Sequence, residues 1–238
     1  MLSSIIAKME ESSMDINFKI LKKIKFGKIK MDSVENIEEL KIDLEKIKNN
    51  NKKRTEPYEH TNYSTVKEFF YRSCNMYPEE DCILEKPDKK EPYKITTFKE
   101  FGEDVNGLGT ALIKILNLKD KRVIIVGETQ YGWYVSYMAM LCGVGIAVPV
   151  DRELPENELE NIVRRSKATA IIYSPRKAED IKKIKENIQE VEYFIEMKSN
   201  KALEGKDVGI NYLTETGKVM VQSGDDSFSK IEINPDEF

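Results

Sequence analysis

Apolar positions along this chain change their period several times, most clearly within residues 121–151, KRVIIVGETQYGWYVSYMAMLCGVGIAVPVD. Val123, Ile124, Ile125 and Val126 form an unbroken β-branched run, the pattern of a strand covered on both faces. Gly127 ends the run. Residues 131–142 then place Tyr134, Tyr137, Met138 and Leu141 at helical spacing. Gly143 and Gly145 stop that helix where the chain can turn left-handed. Residues 146–150 predict a second strand, closed by Pro149 and Asp151. Strand, crossover helix and returning strand make one βαβ unit, with parallel strands and a right-handed crossover.

The alternation extends to both sides. Ser64 or Thr65 caps a helix that Pro78 stops, with Glu68 at the capping-box position and Val66, Phe69, Phe70 and Cys74 on its apolar face. Residues 81–85 and 93–97 read as short strands joined by the charged turn EKPDKKEP. Thr97 opens a second helix carrying Phe98, Phe101, Val105, Leu108, Leu112 and Leu116 on one face. Gly102, Gly107 and Gly109 each weaken it by about 1 kcal/mol, so their presence predicts close packing on the sheet. Gly107-x-Gly109 lies inside a helix and is not a dinucleotide turn.

Downstream, residues 154–166 predict a helix with Pro155 in its first position and Leu159, Ile162 and Val163 inward. Residues 170–173 read as a third buried strand, 176–189 as a lysine-rich amphipathic helix with Ile181, Ile184 and Ile188, and 193–197 as a fourth strand. The fold class is therefore α/β: a three-layer α/β/α unit around an open, mostly parallel, doubly wound sheet. Residues 1–60 form a helical N-terminal extension and linker, 61–198 the α/β unit, and 199–238 a loop-rich tail with a short helix near Tyr212. Within the extension, Ser33 caps a helix whose stripe is Ile37, Leu40, Leu44 and Ile47, and residues 49–60 read as a linker.

Composition narrows the function. A net charge of −4 gives no basic field for nucleic acid or anionic lipid, and no partner of either kind is expected. Residues 129–150 carry no charge, yet two glycines and a proline divide them into helix and strand, so no transmembrane segment is expected where a span needs about 20 apolar residues. No signal peptide is visible, and Cys74, Cys82 and Cys142 are spaced as isolated thiols of a reducing compartment; the expected location is cytoplasmic. His60 is the sole histidine and has no ligand set around it, so no metal site is expected.

Candidate chemistry is sparse. Gly127 stands between strand and helix, where a phosphate could meet a helix N-terminus, but GETQYG lacks the lysine and glycine spacing of a phosphate loop. Glu128 lies at the carboxyl edge of the sheet with no partner evident in sequence, which leaves a general base or a first-turn charge on the helix dipole. Tyr131, Trp133, Tyr134 and Tyr137 read as packing of helix on sheet rather than a ligand platform, and Arg164-Arg165 as a solvated pair.

Two segments resemble motifs of the AMP-forming acyl-CoA synthetases, the acyl-adenylate-forming superfamily, and most of all bacterial long-chain fatty-acid–CoA ligases. ITTFKEF at 95–101 resembles the first, a "(S/T)-Y-x-E-(L/F)" entry into a helix. LCGVGIAVPVD at 141–151 resembles the second, "L-x-A-G-x-x-x-V-P-(I/L)-D", with Cys142 in place of the usual small residue. The likeness covers about residues 65–197. It implies that the complete enzyme uses ATP, magnesium and coenzyme A to convert a fatty acid through an acyl-adenylate to a thioester. The family's phosphate loop, nucleotide contacts and catalytic lysine match no position here; VQSGDDS at 221–227 is not that loop.

The resemblance therefore implies a truncated N-terminal portion of such a ligase, inactive alone, binding no cofactor by itself, with catalytic, cofactor-binding and metal residues all absent. Its implied partner is the missing C-terminal part, in cis or as a separate chain. Two other readings stand beside it. One is a stand-alone α/β module for a nucleotide or acyl ligand; the other is an interaction protein using the stripe from Ile37 to Ile47.

Overall fold

A computed structural model describes residues 62–86 and 90–236. The helix and stripe expected at 33–47, the linker at 49–60, His60 and the middle of the turn at 87–89 lie outside the described residues. In chain order the elements are α1 (Val66–Met76), a hairpin of β1 (Asp81–Glu85) and β2 (Lys94–Thr97), α2 (Phe98–Lys114), β3 (Lys121–Val126), α3 (Tyr131–Ala139), β4 (Gly145–Val150), α4 (Glu156–Ser166), β5 (Ala170–Tyr173), α5 (Ala178–Asn187), β6 (Tyr193–Glu196), β7 (Asp207–Gly209) and α6 (Ile210–Gln222).

Local chemistry explains where the first helices begin. At α2, Thr97 Oγ1 accepts from the Glu100 amide at 3.2 Å, and a Glu100 carboxylate oxygen accepts from the Thr97 amide at 2.8 Å, a complete capping box. At α1, Thr65 Oγ1 accepts from the Glu68 amide at 3.2 Å, but Glu68 reaches back one residue further and accepts from the Ser64 amide at 2.9 Å. Ser64 and Thr65 thus share the capping that the sequence offered to either.

Five strands form one parallel sheet in the order β4-β3-β5-β6-β7. The β-branched run of β3 lies at its interior, and Val123 to Val126 are wholly buried. Val123, Ile125, Ile172 and Ile195 face a layer built from α1, α2, α3 and α6. Ile124, Val126, Ile171 and Phe194 face the opposite layer of α4 and α5. The three-layer α/β/α architecture expected from the alternation is present. Pro149 sits within β4, an edge strand, where a missing amide is tolerated.

Several expectations are corrected. The segment beyond Ser199, read as loop with a short helix, supplies a fifth strand and a 13-residue helix. Gly102, Gly107 and Gly109 do not serve packing on the sheet. A side-chain carbon at Gly217 would lie 1.8 Å from the Gly107 carbonyl oxygen, so α2 and α6 touch backbone to backbone; at Gly109 it would meet the Phe228 ring at 2.5 Å, and at Gly102 the Cys74 sulfur at 3.2 Å. Helix α3 buries Val135, Ser136 and Ala139 rather than the Tyr134 stripe, because small residues allow the closest approach to the sheet. The helix then opens into a π turn at Met140–Val144, ended by Gly143 at φ +126°. Of the α1 face, only Phe70 and Cys74 are buried; Val66 and Phe69 stay exposed. Pro155 stands just before α4 rather than in its first position.

The α2–α6 contact yields a test. Gly217→Ala forces a methyl group onto the Gly107 carbonyl and is expected to lower unfolding free energy by about 3 kcal/mol or to abolish folding, as overpacking does. Gly205→Ala, at φ +58° with nothing within 4 Å, should cost only about 1 kcal/mol. Urea denaturation of both variants distinguishes the two costs.

Candidate functional site

In an open parallel sheet, ligands gather beyond the carboxyl ends of the strands where the strand order reverses. Here the chain runs from β3 outward to β4, then returns to the other side of β3 as β5. The reversal places the ends of β3 and β5 side by side. The Ser174 amide donates to the Val126 carbonyl at 3.0 Å, and Gly127 adopts φ +148°. A side-chain carbon at Gly127 would lie 2.5 Å from Ser174 Cβ, so only glycine fits beside this serine.

Glu128 follows directly. Its carboxylate has the partners that sequence did not reveal: Ser174, and Arg176, whose guanidinium stands 3.9 Å away. Burial works to raise its pKa, but the Ser174 hydroxyl, the Glu128 amide, Arg176 and Arg152 together outweigh it and hold the carboxyl below the ordinary value. Ser174 Oγ is buried and makes no hydrogen bond of normal geometry among the described residues, so its link to Glu128 is a close approach. Glu128 precedes Gln130, the residue capping α3, and is therefore not the first-turn charge expected from sequence. A carboxylate held ionised is a poor proton donor at neutral pH.

Around the same edge lies a second polar cluster. The Tyr131 hydroxyl, at the start of α3, donates to Asp104 at 2.6 Å, and Asp104 also pairs with Lys218 of α6. Burial, the hydrogen bond to Asp104 and that carboxylate's charge all raise the Tyr131 pKa, so the phenol stays protonated. Lys94, Asp104, Asn200, Asn211 and Glu215 line a cavity of about 300 Å³ beside this cluster. Asp104 and Glu215 both pair with Lys218, and Lys94 Nζ lies 5.6 Å from the Tyr131 ring centroid, which makes the cavity a joint between α2, α3 and α6 more than a receptor.

The remaining candidates separate. Trp133 stacks on Tyr137 with centroids 5.0 Å apart and meets Tyr134 edge-on at 5.8 Å, while Tyr131 packs near Phe101. Tyr131, Trp133 and Tyr137 pack against the core and Tyr134 is exposed, so the aromatics form no single platform. Arg164 is more than a solvated charge: it pairs with Glu160 and donates to the Asn187 carbonyl at 2.9 Å, tying α4 to the end of α5. The thiols of Cys74 and Cys142 are buried and Cys82 half-buried; burial pushes Cys142 up to about 12, Cys74 up to about 11, and Cys82 upward as well. Such thiols are inert at neutral pH. Val221 and Gln222 end α6, and the Asp225 carboxylate accepts from Ser227, so residues 221–227 form a helix end and a turn. Among the described residues, no helix is long and apolar enough to cross a membrane.

Comparison with known proteins bears on this scaffold. Residues 70–226 match the family model described as AMP-binding enzyme. Solved structures share the fold. An anthranilate CoA ligase bound to anthranoyl-AMP aligns with a TM-score of 0.56 and 18% identity, over 66% of this chain and 29% of that one. The coronafacic acid ligase of Pectobacterium brasiliense aligns with 0.56 and 15%, over 63% and 29%. A protein described as a putative long-chain-fatty-acid CoA ligase of Rhodopseudomonas palustris CGA009 aligns with 0.54 and 12%, over 63% and 36%. The chain thus spans about a third of the length of these structures. No curated protein matches it.

The edge carboxylate gives a pH test. Because the folded pKa of Glu128 lies below its unfolded value near 4.5, its contribution is present above that pH and is lost as pH falls through the folded value. Glu128→Gln should remove about 1 kcal/mol of stability at neutral pH and flatten the loss on the acid side. Arg176→Ala, removing a long and exposed pair, should change stability by under about 0.5 kcal/mol. Thermal unfolding from about pH 3 to 7 reads both.

Proposed function

Because this chain belongs to the AMP-binding enzyme family, we propose that it supplies the first α/β subdomain of an ATP-dependent, AMP-forming fatty-acid–CoA ligase and does not adenylate by itself. The observation that carries this reading is the family match, which runs from α1 to just beyond α6 and so takes in the sheet and both helical layers. The motif-like segments fall where a scaffold needs them. The one at 95–101 is the capping box of α2; the one at 141–151 is the π turn and edge strand β4.

The carboxyl edge does not fit a magnesium-bound triphosphate. Glu128 holds a negative charge beside the β3–β5 crevice, and the nearby cations, Arg176 and Arg152, have side chains 80% and 50% exposed. Attack at a phosphorus atom needs fixed positive charge that is already in place. ATP, magnesium and coenzyme A are accordingly assigned to the complete ligase and not to this part. The fatty-acid assignment is supported by the motif resemblance and by the likeness to the Rhodopseudomonas palustris protein described as a long-chain-fatty-acid CoA ligase.

This reading gives a role to the apolar surface. Leu84 and Ile95 face each other across the hairpin and are 54% and 49% exposed, beside Tyr93 at 58%. We assign this ridge to contact with the remainder of the ligase. Purified chain given ATP, magnesium and palmitate should release no pyrophosphate above the buffer rate; turnover would overturn the scaffold reading. Saturable micromolar binding of ATP to the chain would favour a stand-alone binding module instead. The chain should also bind an apolar-surface dye, and the double variant Leu84→Lys, Ile95→Lys should bind markedly less.

A further inference from the structure

After α6 the chain folds back as a strap, residues 225–236, without a helix or strand of its own. Its first part is tied locally: the Asp225 amide donates to the Met220 carbonyl at 3.0 Å, and the Asp225 carboxylate pairs with Lys114 at 3.4 Å. From Phe228 onward the attachment is different. The Phe228 ring is wholly buried in the notch that Gly109 leaves in α2, and Ile231 rests against Gly143. One side chain supplies the polar attachment. Lys67 Nζ, from the first turn of α1, donates to the carbonyls of Phe228 at 3.2 Å, Ser229 at 2.9 Å and Ile231 at 2.7 Å. Among the described residues, these are the only hydrogen bonds that residues 228–236 make to the rest of the domain; their others stay within the strap.

An ammonium has three protons, and here three carbonyls take them. The same nitrogen also stands 5.6 Å from the centroid of the Phe228 ring. A neutral amine would offer two donors and an amide one, leaving carbonyls of the strap without a partner. We propose that Lys67 is a charge-dependent lock: its ammonium holds residues 228–236 over the Gly109 and Gly143 notches, and loss of that charge releases the strap while the sheet stays folded. The α4–α5 side of the sheet is assembled without the strap, around Ile124, Val126, Ile171 and Phe194, whereas Phe228 joins the core of the other helical layer. Residues 228–236 thus have a single polar control point.

Hydrogen exchange of the purified chain tests this. Lys67→Met keeps the apolar stem and removes the charge; it should speed exchange of amides in 228–236 by at least about tenfold and leave those of β5 and α5 unchanged. Lys67→Arg, which keeps the charge and several donors, should give a much smaller rise. Trypsin cleavage after Lys230, whose side chain is 75% exposed, offers a second reading and should accelerate in Lys67→Met but not in Lys67→Arg. Phe228→Ala is the control for loss of the plug, and should release the strap with Lys67 intact. Unchanged exchange in the strap of Lys67→Met would overturn the proposal. So would a rise of equal size in strap and core, or equal release in the methionine and arginine variants.

Discussion

Two helices on one side of the sheet meet without side chains between them. At the crossing, the Gly107 carbonyl of α2 and the Gly217 backbone of α6 occupy space that any methyl group would need. That approach brings Lys218 of α6 within reach of Asp104 on α2, and Asp104 in turn receives the Tyr131 hydroxyl from α3. Three helices are therefore fixed by one steric permission followed by one polar network. Gly109, a further half-turn along α2, repeats the device for a ring instead of a backbone and seats Phe228. The apolar sheet supplies the driving force for burial on this side, but the glycines set the distance at which the helical layer can lie.

The parts of this fold that sequence displayed are those in which side chains announce burial. The β-branched run of β3, the isoleucines of α5 and the Thr97–Glu100 pair each have a pattern with a direct physical cause. The parts it concealed are those in which small groups do the packing. Helix α6 buries Ile210, Leu213, Thr214 and Gly217, so half its contact face is a hydroxyl residue and a glycine, while Val219 points outward at 61% exposure. Read by hydrophobic period alone, it looks like loop. Helix α3 misled in the opposite sense. Its large aromatics suggested one buried stripe, whereas Val135, Ser136 and Ala139 approach the sheet more closely than tyrosines could.

The candidate site was legible as a place and not as an arrangement. Gly127 and Glu128 stood at the carboxyl edge because a strand evidently ended there. The partners of Glu128, Ser174 and Arg176, arrive from β5's far end, more than forty residues later, and no local pattern announces them. Likewise, nothing around Lys67 foretold that its ammonium would meet three carbonyls about 160 residues further on. Non-local pairings of single polar groups leave no periodic trace.

Pro149 carries a consequence for what can be added to this sheet. Its strand forms one border of the sheet and has a residue without an amide next to its last position; the other border, β7, is three residues long. A newcomer strand would find an interrupted ladder at one side and almost no ladder at the other. Lateral growth of this sheet is thereby discouraged in both directions. An added element is favoured against the helices or the hairpin, by faces and not by seams.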